Sequence, residues 1–140
     1  MSEINFNSVY DGVSLALRAA YPDRNIYGGS TEQNVEPGDL NVIMLSSGHI
    51  KEVGTRHRRT PILDVIYYSS GSTAECCDMA HQIVVILQSI STPEGDTLNC
   101  TACDWSIEDG VLHIRVGYDH FVYTPIEPDH METLQIQQEG

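Results

Sequence analysis

Apolar positions recur along this chain with two different periods. Phe6, Val9, Val13, Ala16, Leu17 and Ala20 repeat at helical spacing, which predicts an amphipathic helix over residues 5–20. Asn5 or Asn7 can cap it, and Tyr21-Pro22 stops it, because the residue before a proline avoids helical angles. Residues 25–27 read as a short strand, and Gly28–Asp39 is polar and turn-rich with no apolar period. Its Gly28-Gly29-Ser30 lacks the spaced glycines and the Lys-Ser/Thr pair of a phosphate loop. Leu40–Val53 reads as a strand that bends or bulges at Gly48. In Arg56–Tyr68 the period is two, with Leu63, Val65 and Tyr67 on one face and Ile62, Asp64, Ile66 and Tyr68 on the other. Gly54-Thr55 marks a tight connection, so residues 41–68 predict one long antiparallel hairpin.

Further on, Ser72-Thr73-Ala74-Glu75 matches a capping box and predicts a second helix to about Ile90. Cys77, Ala80, Ile83, Val84, Leu87 and Ile90 form its apolar stripe, and Ser91–Asp96 breaks it. Thr97–Ile107 reads as one strand with Leu98 turned inward and Trp105 a second candidate for that side. Glu108-Asp109-Gly110 is a hairpin signal. It leads into Val111–Tyr123, where Leu112, Ile114, Val116 and Tyr118 alternate with His113, Arg115, Gly117 and Asp119. The remainder is proline-containing and acidic, with Ile126, Met131, Leu134 and Ile136 scattered through it. The expected fold is α+β, with two helices packed on one face of a four- to five-stranded, mainly antiparallel sheet that contains a long β-hairpin. Residues 1–124 would form this single domain, and residues 125–140 an arm that is flexible or docks on a neighbouring subunit.

Charge adds an asymmetry. Twenty Asp and Glu against seven Lys and Arg give a net charge of −13, which repels phosphate from most of the surface. Yet Lys51, Arg56, Arg58 and Arg59 fall within nine consecutive positions, at the tip of the expected hairpin. Two readings fit this knot. The favoured one is ion pairing with acidic residues of the same or a neighbouring chain. The other is contact with a nucleic-acid backbone, against which stand the acidic remainder and the lack of interleaved aromatics. The start of the chain has no basic region followed by an apolar run, and Ile83–Leu87 is too short to span a bilayer. A cytoplasmic chain, or one assembled there, is the expectation.

Catalytic chemistry is thinly represented. Cys100 and Cys103 have the spacing of a zinc knuckle, with His81 and His113 as possible completing ligands. Within one strand, however, an offset of three sends side chains to opposite faces. Cys76 and Cys77 are adjacent on a helix, so only one faces any given point. Buried free thiols are the expectation. His49, His57, His113, His120 and His130 form no i, i+4 metal pair, and no serine sits in a nucleophile elbow. Asp64, mid-strand, is the one candidate catalytic carboxylate, with solvent, a subunit neighbour or an arginine of the knot as its expected partner. No enzyme activity, metal or cofactor is expected.

Several short motifs, taken in order, resemble a known family. A helix precedes a strand ending Ile26-Tyr27-Gly28; then come Arg56-His57-Arg58-Arg59-Thr60 before an apolar strand with Asp64 and Tyr67, and a helix carrying Glu75 and Ala80. Asp109–His113 (DGVLH) opens a last strand with Val116 and Tyr118, and Met131–Leu134 (METL) lies near the end. In that order they resemble the small tail-terminator proteins of long-tailed phages and prophages of Gram-positive bacteria. The resemblance implies a structural subunit that forms a ring, usually a hexamer, capping a finished tail tube and presenting a surface to the head-completion protein. It implies a place in the tail or neck of a virion assembled in the host cytoplasm, with DNA only as passing cargo and no membrane. A head–tail joining or neck protein shares the size and helix–sheet character, and a small nucleic-acid-associated binding protein is the alternative from another class. Lys51, Arg56, Arg58 and Arg59 at the tip, and Met131, Leu134 and Ile136 in the arm, are the expected interface residues.

Overall fold

The first helix, α1, runs Phe6–Ala20 and begins at a reciprocal cap. Asn5 Oδ1 accepts the Ser8 N–H at 2.9 Å, and Ser8 Oγ accepts the Asn5 N–H at 3.1 Å, so Asn5 is the cap and two otherwise orphaned donors are satisfied. Val9, Val13 and Leu17, one per turn, are fully buried. The computed structural model describes residues 4–29 and 35–123, and the expected arm lies outside them.

Eight strands follow: β1 (Ile26–Gly28), β2 (Leu40–Lys51), β3 (Arg56–Tyr68), β4 (Ser89–Ser91), β5 (Thr97–Asn99), β6 (Ala102–Glu108), β7 (Val111–Gly117) and β8 (His120–Tyr123), with α2 (Thr73–Ile86) between β3 and β4. The main sheet has six strands rather than four or five, in the order β1-β2-β3-β7-β6, with β8 also on β3. Every pairing is antiparallel except β1 with β2. A separate two-stranded sheet joins β4 to β5. Both helices cover one face. Leu40, Val42, Leu63, Val65, Leu112, Ile114 and Val116 on that side form one core with Val9, Val13, Leu17, Met79 and Ile83.

The β2–β3 hairpin forms as the alternation demanded, but its irregularity lies elsewhere. The register slips between Met44 and Ser46, leaving Leu45 as the extra residue. Gly48 stays in register opposite Thr60, whose hydroxyl accepts the Gly48 N–H at 3.0 Å. A Cβ at Gly48 would lie 2.6 Å from that oxygen, so the glycine serves close approach and not a bulge.

Pro61 is unusual in a central strand because it donates no ladder bond. It accepts from the Tyr118 N–H at 3.2 Å, so its missing donor points to the same side, where β7 gives way to β8. The register is unchanged across this break, with Ile62 opposite Gly117 and Arg59 opposite His120. The expected single strand over Val111–Tyr123 is thus one line interrupted at Tyr118-Asp119. Tyr118 is fully buried and its hydroxyl donates to the Leu87 carbonyl, satisfying the end of α2. Burial, with the Cys100 and Cys103 thiols beside it, pushes this phenol far above its ordinary range.

α2 departs from the sequence expectation in three ways. Ser72 Oγ accepts the Glu75 N–H at 3.3 Å, but the Glu75 carboxylate turns to Ser70 and Tyr67 instead of back to the cap. The buried stripe is Cys76, Met79, Ala80 and Ile83, so Cys76 and not Cys77 faces the core. The helix ends at Ile86, and Ile90 is buried from β4.

Thr97–Ile107 is two strands, not one. At Cys100-Thr101 the chain leaves the small sheet for the main one, as the Cys100 N–H donates to the Gln88 carbonyl and the Thr101 N–H to the Gly117 carbonyl, both at 2.8 Å. Trp105 is 44% exposed, because β6 is the last strand of the sheet and nothing described beyond it covers the ring.

Candidate interaction surface

Strand alternation divides the basic knot between two faces. Arg56 and Arg58 point away from the helices, with Thr60 and Ile62; His57 and Arg59 point to the helix side. On the open face Arg56 meets Glu52 at 3.1 Å, while Arg58 lies 3.6 Å from Glu52 and 3.9 Å from Asp119. Both arginines and Asp119 are more than a third exposed, and Glu52 about a quarter, so water and salt screen these pairs. The Arg56 guanidinium also lies 4.7 Å over the Phe121 ring, a cation–π contact. Phe121 stands opposite Arg58 and Tyr123 opposite Arg56. With Ile50 and Ile62, these exposed side chains make an apolar strip threaded by two arginines.

Those aromatics were missed from sequence. No Phe, Tyr or Trp lies among the arginines in sequence; β8 brings two across from them in the fold. The available signal was Phe121 and Tyr123 at alternate positions, continuing the outer face of His113, Arg115 and Asp119.

Arg59 does different work. Its Nη1 donates to the Ile4 carbonyl at 2.8 Å, its Nε to His49 Nδ1 at 3.2 Å, and its guanidinium lies 4.6 Å over Phe6. It holds the segment that leads into α1. Lys51 is exposed on the same side, opposite His57, and His49 and His57 stack with centroids 4.6 Å apart. Met131, Leu134 and Ile136 lie outside the described residues.

Of the candidates for chemistry, the structure brings together Asp64 with His113 and His49 with His57, two pairs on opposite faces of the sheet. Asp64 is buried and its Oδ2 is 3.0 Å from His113 Nδ1; neither solvent nor an arginine of the knot is its partner. His120 is buried with Nδ1 2.9 Å from the Tyr118 carbonyl, a local backbone contact. Among the described residues no three His, Cys, Asp or Glu side chains are grouped to hold a metal. All four cysteines are free, but only Cys76 is buried; Cys77 and Cys103 are exposed. The strand break at Thr101 brings Cys100 beside Cys103, against the expected opposite faces. The Cys103 thiol is raised, first by partial desolvation of its sulfur and then by Cys100 and Asp104.

At the other end of β3, Arg24 lies 5.4 Å over Tyr21 and 5.5 Å over Tyr67. Burial first, then the Glu75 carboxylate, raises the Tyr67 phenol. Hydrogen bonds from Ser70 and then Tyr67 hold Glu75 below its ordinary value. This corner ties β3 to the start of α2, a structural role. No described helix is long and apolar enough to cross a membrane.

Among solved structures, the chain is similar to one in the virion of a native gene transfer agent particle, with TM-score 0.54 and 12% identity, over 85% of this chain and 94% of that one. At that identity the likeness shows the fold alone. A second solved chain aligns with TM-score 0.47 and 7% identity, over 86% of this chain and 94% of its own length. No curated protein gives a significant match. The model of the phage tail terminator protein family matches residues 8–130. That span runs from the first turn of α1 past the end of β8, taking in the whole main sheet, and the family is one of structural proteins and not of enzymes. The chain therefore belongs to the phage tail terminator family, as a structural component of a virion tail.

Proposed function

We propose that this chain is the subunit of a ring, of six copies, that closes the end of a completed tail tube and offers its other side to the head-completion protein. On this reading it serves a long-tailed phage or prophage of a Gram-positive host and is assembled in that host's cytoplasm. One observation carries the reading beyond the family match: Ile50, Ile62, Phe121 and Tyr123 stand exposed around Arg56 and Arg58. Aromatic and arginine side chains set among apolar neighbours are what subunit contacts use. The net charge of −13 suits a collar through which DNA passes without adhering. Met131, Leu134 and Ile136 supply apolar anchors for docking on an adjacent copy.

The test is to add the purified chain to polymerising tail-tube protein and follow tube length by electron microscopy, with light scattering on the chain alone. Rings at tube ends and arrested growth are expected. Truncation after Thr124 is expected to weaken assembly while leaving the domain folded. A chain that never self-associates and leaves tube length unchanged overturns the reading. Binding to heads in preference to tubes would mark a neck protein instead, and a salt-dependent shift of random duplex DNA a nucleic-acid binder.

A further inference from the structure

One edge of the main sheet ends on β6, which pairs with β7 alone among the described strands. Ala102, Cys103, Asp104 and Trp105 are exposed along it. An open edge is a template for another strand, and single-chain proteins cover or blunt it. Its two faces differ. Cys103 and Trp105 stand opposite Val116 and Ile114 and so look to the helix side, whereas Ala102, Asp104, Ser106 and Glu108 look to the open face. A segment outside the described residues suits both faces. Residues 133–138 read Thr-Leu-Gln-Ile-Gln-Gln, without charge and with apolar and polar positions alternating through Gln137, the pattern of a half-buried strand.

We propose that residues 133–138 of one copy add to the β6 edge of the next as an antiparallel strand. This rests on the ring reading above and names the surface that receives the arm. With Leu134 beside Trp105, Ile136 falls beside Cys103 on the helix side, and Gln135 beside Asp104 on the open face, where an amide N–H can reach the carboxylate. The backbone supplies the attachment and alternate side chains the choice of partner. Leu134 and Ile136 cover the exposed ring of Trp105, a residue type that anchors contacts between chains. Such a contact uses two different surfaces and closes into a ring when the rotation allows.

Reach places the donor in another copy. Tyr123, the last described residue before this segment, lies opposite Arg56 at the hairpin end of β3. β6 runs away from that end, since through β7 Ala102 is level with Ile62 and Ser106 with Ile66. In the register above, Thr133 lies beside Ser106. To pair antiparallel with its own β6, the segment would have to climb from the level of Arg56 at least to that of Ile66, about 33 Å at strand rise, and then reverse. The peptide steps from Tyr123 to Thr133 span about 33–36 Å fully extended, which leaves nothing for the reversal. The antiparallel sense is that of every pairing in the main sheet except β1 with β2.

Trp105 is the sole tryptophan, so its fluorescence reports this contact directly. In the full-length chain, concentrated in solution or bound to tail tubes, association is expected to shift the emission to shorter wavelength and to reduce iodide quenching severalfold. Leu134→Asp combined with Ile136→Asp should keep circular dichroism native, leave the emission that of an exposed indole and weaken association at least about tenfold. In an oxidised mixture of isotopically light and heavy copies carrying Ile136→Cys, peptides that join position 136 to Cys103 should include pairs with one label of each kind. Joined peptides with both halves always of one label would place the segment on its own β6 and overturn the proposal. If rings form with Trp105 emission and quenching unchanged, the edge contact is overturned and the ring reading stands. If the chain stays monomeric with Trp105 exposed, both in solution and with tubes, both are overturned.

Discussion

Arg58 and Arg59 are neighbours in sequence and serve opposite faces of the sheet. Arg58 is half-exposed among carboxylates, whereas Arg59 reaches the Ile4 carbonyl and covers Phe6. A charged donor on a backbone carbonyl together with a partly screened cation–π contact contributes about 1–2 kcal/mol. Arg59→Ala is accordingly expected to lower unfolding free energy by that amount in urea. Arg59→Lys should recover only part, since an ammonium lacks the planar fork. Lys51→Ala, at an exposed position, should change it by less than about 0.5 kcal/mol. Equal effects at Arg59 and Lys51 would show that the anchor to α1 is idle. The cluster of basic residues was plain in the sequence, and period-two alternation already implied its division. What each arginine would touch was not legible, because Ile4, Phe6 and Phe121 reach it only through the tertiary fold.

At the scale of elements, strong periodicity gave both helices and the long hairpin close to their observed bounds. Misplacements occurred where a distant partner set the boundary. α2 stops at Ile86 because Ser89–Ser91 is taken up by β5. The strand expected over Thr97–Ile107 splits because its halves belong to different sheets. The capping box is half formed because Tyr67 and Ser70 compete for Glu75. That competition has a pH signature. The folded value of Glu75 lies below its ordinary 4.5, chiefly through the Ser70 and Tyr67 hydrogen bonds. Its contribution is therefore complete above the ordinary value and is lost as pH falls through the lower folded one. Thermal midpoints taken from about pH 6 down to about pH 3 should fall more steeply for wild type than for Glu75→Gln. Parallel curves would mean that the corner adds nothing to stability.

For the whole molecule, the pattern of helices and hairpins was enough for the α+β class and the placing of both helices on one side of the sheet. The strand count was not, because the break at Tyr118-Asp119 separates β8 from β7 in a stretch whose alternation reads as one strand. The open face is where assembly should be most sensitive. Arg58→Glu replaces a cation in the exposed strip and leaves three carboxylates together with Glu52 and Asp119. Circular dichroism should stay native, while self-association measured by sedimentation should weaken at least about tenfold, or about 1.4 kcal/mol. Undiminished association would remove the strip from any subunit contact.

The central place of β3 also has a consequence for biosynthesis. Its partners on one side, β7 and β8, are the last described strands of the chain. While the ribosome is still translating, the hairpin and α1 exist without β7, and Leu63, Val65 and Tyr67 lack their eventual neighbours Val116, Ile114 and Leu112. Domains complete themselves only when such late segments emerge. The nascent chain thus carries the apolar side of β3 uncovered until β7 has emerged, so the core cannot close before the last described strands are made.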